Sequence, residues 1–169
     1  MELVEGGSLR ELLKERGPMP PHAAIAVMRP VLNALSIAHA KGMIHRDIKP
    51  DNVLISDQHQ VKLADFGLVR AINNAMSDAT NATTSVNGQV IGTVGYLSPE
   101  QVRGEHLTQA SDVYSAGILL FELLTGRTPF KGGTSIETAM ARINRPVPAP
   151  STLMPSIPPE VDELVLRAC

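Results

Sequence analysis

The sequence has little of several features that would place it in a specialised class of protein. It contains one cysteine, Cys169, so no disulfide can form within the chain, and we expect a reducing compartment. It has no tryptophan, two tyrosines and three phenylalanines, so its core must be mostly aliphatic. The formal net charge is −2, which gives no sign of nucleic acid or of an acidic membrane surface as the main partner.

Long apolar runs are missing as well. The most apolar stretch, "AGILLFELL" at 116–124, is too short to cross a bilayer and is interrupted by Glu122. The opening "MELVEGGSL" lacks the basic and apolar segments of a secretory signal. Hydrophobic residues still make up 43% of the 169 residues, which is enough for a core. We therefore expect one folded domain, or a large part of one, in the cytoplasm.

The spacing of apolar residues predicts a mostly helical chain with one small β-hairpin. Strands are expected at Val53–Ile55 and Val61–Ala64, joined by the polar turn "SDQHQ". In the second helix, Ile25, Met28, Leu32 and Leu35 recur at three- and four-residue spacing. The polar stretch 73–89 has no period and predicts a long loop. Helices are expected at 8–17, from about Pro20 to Gly42, at Ser111–Thr125, at about Thr134–Ile143 and from Glu160 onward.

One short loop concentrates polar residues. The stretch "MIHRDIKPDNVLIS" (43–56) places Asp47, Lys49 and Asn52 between two apolar runs. A carboxylate can accept the proton of a hydroxyl, a lysine can neutralise a phosphate oxygen, and an amide oxygen suits a hard cation such as Mg²⁺. Asp65 follows the predicted hairpin, which folds the chain back, so we expect Asp65 and Asn52 to hold Mg²⁺ together. The chemistry that fits is phosphoryl transfer to a hydroxyl.

A lone loop aspartate is more often a solvated turn residue than a catalytic group, so the wider pattern decides. "HRDIKPDN" (45–52) followed by "DFG" (65–67) resembles the catalytic loop and metal-binding motif of protein kinases. "GTVGYLSPE" (92–100) resembles the segment that ends a kinase activation loop. "SDVYSAGILLFELLTGRTPF" (111–130) resembles the kinase helix whose aspartate, here Asp112, anchors the catalytic loop. "MELVEGGSL" resembles the hinge between the two kinase lobes.

The chain is identified as similar to bacterial serine/threonine kinases of the eukaryotic type. "DIKPDN" is typical of serine/threonine kinases, and "VIGTVGYLSPEQVRG" (90–104) resembles the actinobacterial receptor-like branch. The resemblance implies a protein-kinase-like α+β fold over residues 1–169: a mostly helical large lobe with a small β-hairpin and an activation loop at 68–97. It also implies transfer of the γ-phosphoryl group of ATP, with Mg²⁺, to Ser or Thr hydroxyls of proteins.

The resemblance also implies a role for each matching residue. Asp47 is the implied catalytic base, Lys49 the contact to the transferred phosphate, and Asn52 and Asp65 the Mg²⁺ ligands. Leu54 is expected to pack beneath the adenine ring. Glu2 and Val4 are implied to present backbone groups to the adenine, and Thr93 is implied to lie where the substrate hydroxyl docks. Arg46 is implied to bind a phosphate on the activation loop, carried by Thr80, Thr83, Thr84 or Ser85.

The small lobe of the family, with its Gly-rich loop, lysine strand and glutamate helix, has no counterpart in the 169 residues. We therefore expect the large lobe of a longer kinase, and Glu100 is expected to be a buried carboxylate without its arginine. One alternative is an active enzyme whose partners are Ser/Thr protein substrates, its own small lobe and a second kinase copy. The other is a non-catalytic module that binds a protein. The intact "HRDIKPDN" favours the enzyme, in the cytoplasm or membrane-anchored with a cytoplasmic kinase domain.

Overall fold

A computed structural model describes residues 6–65 and 94–169, and within these ranges the predicted helices form. The elements, in chain order, are β1 (Gly6–Ser8), α1 (Leu9–Arg16), α2 (Pro21–Ala40), β2 (Val53–Ser56), β3 (Val61–Leu63), α3 (Pro99–Arg103), α4 (Gln109–Thr125), α5 (Ser135–Asn144) and α6 (Pro159–Ala168), with short 3₁₀ turns at Pro50–Asn52 and Pro150–Thr152. Helices therefore form most of the described structure, as the apolar spacing predicted.

The ends of α1 follow from residues visible in the sequence. The Ser8 hydroxyl accepts a hydrogen bond from the Glu11 amide, and the Glu11 carboxylate accepts one from the Ser8 amide at 2.7 Å. This reciprocal capping box satisfies two backbone donors that the first helical turn leaves unpaired. At the far end Gly17 has a φ of 72°, a backbone conformation that glycine adopts without steric cost.

The buried face of α2 includes only part of the apolar set seen in the sequence. Leu32 is 46% exposed, whereas the buried residues are Ala24, Met28, Val31, Leu35 and Ala38. Both sets have helical spacing, and the small alanines, which contribute little to an apolar pattern, lie on the face that packs.

By length and composition alone, α2 is the one described helix that is apolar enough to cross a membrane. Core helices also pass that test, and α2 packs against α4 and β3.

Helix α4 is the centre of the described core. It packs against α2 on one side and α6 on another, and Ile118, Leu119, Phe121 and Leu123 are fully buried. At Gly117 the helix comes close to the end of the chain: an added Cβ would lie 2.6 Å from the Cys169 Sγ and 2.8 Å from the Ala168 Cβ on α6. The sequence predicted this helix but not the reason for its glycine, which is contact with a distant segment.

The described strands form a three-stranded antiparallel sheet in the order β1-β2-β3. Val53 pairs with Leu63 and Ile55 with Val61, as the hairpin prediction requires. The prediction of a hairpin alone was incomplete, because β1 adds a third strand through Gly6 and Gly7, which carry no side-chain alternation to reveal it. Beyond the hairpin, the Ala64 amide donates to the Asn52 carbonyl at 2.8 Å, so the two ends of the hairpin meet.

Candidate active site

Three of the predicted site residues meet in one cluster beside the sheet. The Lys49 Nζ lies 2.8 Å from an Asp47 carboxylate oxygen, and the Asn52 amide nitrogen donates to the same oxygen at 2.9 Å. That nitrogen also donates to the Asp47 carbonyl at 2.8 Å. The 3₁₀ turn Pro50–Asn52 brings Asn52 back to Asp47. The Asp47 carboxylate is therefore held by two neighbours but remains 18% exposed and reachable.

The side chains of Asn52 and Asp65 suit a hard cation. The Asn52 nitrogen is directed at Asp47 oxygens, which leaves the amide oxygen as the group that can bind a metal. Asp65 is exposed and follows Ala64, whose amide bonds to Asn52. Mg²⁺ is typically bound by one or two carboxylates together with phosphate oxygens. Among residues 6–65 and 94–169, no cluster of three or more His, Cys, Asp or Glu could hold a metal.

Asp112 on α4 supports the loop from below, in the position that the resemblance implied. Its carboxylate is 1% exposed and accepts the Arg46 amide at 2.8 Å with one oxygen. The other oxygen accepts the His45 amide at 2.8 Å and the His39 Nε2 at 2.7 Å. Because a carboxylate only accepts, His39 must donate here. Sequence reasoning missed His39, whose partner lies 73 residues away.

His45 connects this loop to the residue that precedes Asp65. The Asp47 amide donates to His45 Nδ1 at 3.3 Å, and His45 Nε2 lies 2.9 Å from the Ala64 carbonyl. Nδ1 is thus an acceptor and Nε2 carries the hydrogen, which fixes the tautomer. The ring is 1% exposed, so it keeps both Asp47 and the end of the hairpin at defined positions.

The sequence matches the protein kinase domain family over residues 1–167. The chain belongs to this family. It is 55% identical over 168 residues to serine/threonine-protein kinase PknL of Mycobacterium tuberculosis, 40% over 168 residues to PrkC of Bacillus subtilis and 43% over 169 residues to PknB of Mycobacterium leprae. Each comparison covers 99% of this chain but only 40%, 25% and 26% of the relative, so the chain spans less than half of their length. The predicted family, bacterial eukaryotic-type serine/threonine kinases, is confirmed.

Of the other predicted site residues, two lie within the described part of the chain and seven lie outside it. Leu54 is half-buried in β2 and faces away from its buried neighbour Val53, because side chains alternate along a strand. The Arg46 side chain is exposed beside the loop. Glu2, Val4, Thr80, Thr83, Thr84, Ser85 and Thr93 lie outside the described residues, as does the predicted activation loop before Val94.

A buried polar network connects the kinase segment 94–98 to α1 and α4. The Arg10 guanidinium donates to Glu122 at 2.8 Å and to the Tyr96 hydroxyl, which itself donates to Glu122. Burial and the adjacent Glu122 raise the pKa of Tyr96, so this hydroxyl keeps its proton. Sequence reasoning noticed Glu122 only as an interruption of an apolar run. A charge within a buried helix is itself a sign of such partners.

Arg142 on α5 holds the same segment from the other side, and sequence reasoning missed it. Its side chain donates to the Val94 carbonyl at 2.5 Å and to the Gly95 carbonyl at 2.6 Å. The guanidinium lies over the Phe130 ring, 5.7 Å from its centroid, and burial lowers the pKa of this arginine. Its Nε has no hydrogen-bond partner among the described residues. Arg142 therefore fixes the backbone next to Thr93.

The structure corrects the expectation for Glu100. This carboxylate is half-buried rather than buried, and it accepts a hydrogen bond from the Ser111 hydroxyl at 2.5 Å. Burial is the largest single influence on the pKa of Glu100 and would raise it, but the hydrogen bond from Ser111 acts together with the Glu100 backbone amide, Ser98 and Arg103, so the pKa is lowered. The Ser111 hydroxyl on α4 is thus the partner of Glu100, in the role that the sequence resemblance gives to an arginine.

Proposed function

We propose that the protein carrying this chain is a serine/threonine protein kinase that transfers the γ-phosphoryl group of ATP to a protein hydroxyl. The observation that supports this proposal most strongly is the cluster in which Lys49 and Asn52 both lie within 2.9 Å of one Asp47 carboxylate oxygen. Ala64, the residue before Asp65, is bonded to Asn52. The names of the relatives, all serine/threonine-protein kinases, agree with it.

The site residues divide the work of the reaction. The substrate oxygen forms a bond to the γ-phosphorus, the bond from that phosphorus to ADP breaks, and Asp47 accepts the hydroxyl proton. Lys49, held beside Asp47, neutralises an oxygen of the transferred group. Asn52 and Asp65 would hold Mg²⁺, which neutralises charge on the phosphates when bound. Leu54 offers an apolar surface to the adenine.

The finer assignments are also proposals. The chain is the large lobe of a longer receptor-like kinase, which agrees with the length of its relatives, and a small lobe covers the other side of the nucleotide. Arg46, exposed beside Asp47, would bind a phosphate on Thr80, Thr83, Thr84 or Ser85, because arginine binds phosphate through two parallel hydrogen bonds. The kinase domain would lie in the cytoplasm, also where the longer protein is anchored in a membrane.

The central test replaces one loop aspartate at a time in the complete gene product. Asp47→Asn should reduce phosphate incorporation into a protein substrate by orders of magnitude while Mg·ATP affinity changes little, because Asp47 contacts the hydroxyl. Asp65→Asn should also weaken Mg·ATP binding. The matched control is Asp51→Asn, an exposed aspartate of the same loop that contacts Arg10 at 3.4 Å. An Asp47→Asn enzyme as active as the control contradicts the proposed function.

Two further measurements test the finer proposals. The 169-residue chain alone should incorporate no more phosphate than its Asp47→Asn variant, and measurable activity would contradict the need for a small lobe.

Replacing Thr80, Thr83, Thr84 and Ser85 together by Ala should lower the activity of the complete protein, as phosphatase treatment should for wild type. Regulation through Arg46 is wrong if wild-type activity survives phosphatase unchanged.

A further inference from the structure

The side chain of Gln101 makes one bond more than its capping role requires. Helix α3 begins with a capping box in which the Gln101 Oε1 accepts the Ser98 amide at 2.8 Å. Helix α1 has the same box, and there the residue is Glu11. A glutamate therefore serves this box as well as a glutamine does. What a glutamate lacks is a donor, and the Gln101 Nε2 donates to the Arg46 carbonyl at 2.8 Å.

That carbonyl belongs to a residue with an unusual backbone. Arg46 has a φ of 72°, in a region that residues other than glycine rarely occupy. Such a conformation persists only where the surroundings hold it. The Arg46 amide is bonded to Asp112 on α4 at 2.8 Å, and its carbonyl is bonded to Gln101 on α3 at 2.8 Å. The peptide group that joins Arg46 to Asp47 is thus held by α3 at its carbonyl and by His45 at its amide.

Gln101 also connects two parts of the site that are far apart in sequence. Its box partner Ser98 ends the segment 94–98, which Arg142 and Arg10 hold through Val94, Gly95 and Tyr96. Its amide nitrogen reaches the catalytic loop 55 residues earlier. A displacement of this segment would therefore change the support of the peptide group before Asp47.

We propose that Gln101 is a positioning residue for Asp47, which couples the placement of segment 94–98 to the orientation of the Asp47 carboxylate. This inference rests on the proposed kinase function. A single hydrogen bond changes an equilibrium by about two- to tenfold, so loss of this exposed bond should lower kcat by at most about two- to tenfold. The KM for ATP should not change, because within the described residues the side-chain hydrogen bonds of Gln101 go to Ser98 and Arg46 and not to Lys49, Asn52, Leu54 or Asp65.

The test compares Gln101→Glu with Gln101→Met in the complete protein. Gln101→Glu keeps the acceptor of the capping box and loses only the bond to Arg46, whereas Gln101→Met loses both without adding a charge. We expect both variants to lower kcat alike, and Gln101→Met, which also loses the capping box, to lower the midpoint of thermal unfolding more than Gln101→Glu does. Glu11→Gln, which exchanges the same two residue types in the box of α1, is the matched control and should leave kcat unchanged.

Hydrogen exchange separates this inference from the proposed function. In Gln101→Glu, amides of the segment 44–50 should exchange about two- to tenfold faster than in wild type, whether or not phosphate transfer is detected. If Gln101→Glu exchanges faster and the protein shows no kinase activity, the role of the hydrogen bond between Gln101 and Arg46 is supported and the proposed function is overturned. Wild-type exchange at 44–50 in Gln101→Glu, or a kcat equal to that of Glu11→Gln, would overturn the role of Gln101.

Discussion

Replacing Asp112 by asparagine should weaken the hydrogen bonds that hold the catalytic loop to helix α4. The carboxylate serves three donors: the Arg46 amide on one oxygen, and the His45 amide and His39 on the other. Asparagine has one acceptor oxygen, so its least harmful orientation places the NH₂ group against the Arg46 amide. One charge-assisted bond is then lost and the other two become neutral. A bond to a charged group contributes about 1.5–3 kcal/mol, so we expect Asp112→Asn to destabilise the fold by about 2–3 kcal/mol.

Urea unfolding followed by far-ultraviolet circular dichroism measures this cost, since the chain has no tryptophan for fluorescence. The matched control is Asp162→Asn. Asp162 is half-buried and accepts one backbone amide, from Ser151 at 2.9 Å, so its replacement should cost about 1 kcal/mol. Amide exchange at His45 and Arg46 should also accelerate in Asp112→Asn alone. Equal destabilisation by the two variants, with unchanged exchange in the loop, would refute the reasoning.

Three further changes test the core and its polar network. Gly117→Ala forces a Cβ to within 2.8 Å of the Ala168 Cβ, so urea unfolding should show a loss of about 1–3 kcal/mol, and no loss would contradict the close approach of α4 and α6. Among the described residues, Glu122→Gln leaves the Arg10 guanidinium with only its longer carboxylate contact to Asp51, at 3.4 Å, and should cost about 2–4 kcal/mol, whereas the same change in an Arg10→Met background should cost clearly less. Burial raises the pKa of Tyr114 from 10.0 to about 12, so between these pH values the folded state keeps a proton that the unfolded chain loses. The free energy of unfolding, measured with urea, should therefore be unaffected by Tyr114 below pH 10 and fall towards pH 12. The fall should be smaller in Tyr114→Phe.

Local signals allowed much of the fold to be predicted from sequence. The cap at Ser8 and the glycine at position 17 bounded α1 correctly, because both act within a few residues of the helix. The apolar spacing of α2 indicated its buried face only in part, since Leu32 is more apolar than Ala24 or Ala38 and yet lies outside the packed face. Which face is buried depends on the neighbouring helix α4, whose position no local pattern determines.

The same distinction separates the predicted part of the site from the part that was missed. Asp47, Lys49 and Asn52 lie within six residues, so a single loop had to bring them together. Arg10 and Glu122, in contrast, are 112 residues apart, and the sequence could show only that Glu122 interrupts an apolar run.

A buried charge nevertheless restricts what its surroundings can be. Leaving Glu122 unpaired in the core would cost several kcal/mol, so its position within an apolar helix already requires donors from another segment. The sequence did not identify Arg10 and Tyr96 as those donors, because several segments could supply them and only the packing of α1 against the 3₁₀ turn and β2 selects one. Asp112 differs because its motif resembles a known family. Its partners are the backbone amides of His45 and Arg46, which every sequence provides, so only the position of the carboxylate had to be recognised.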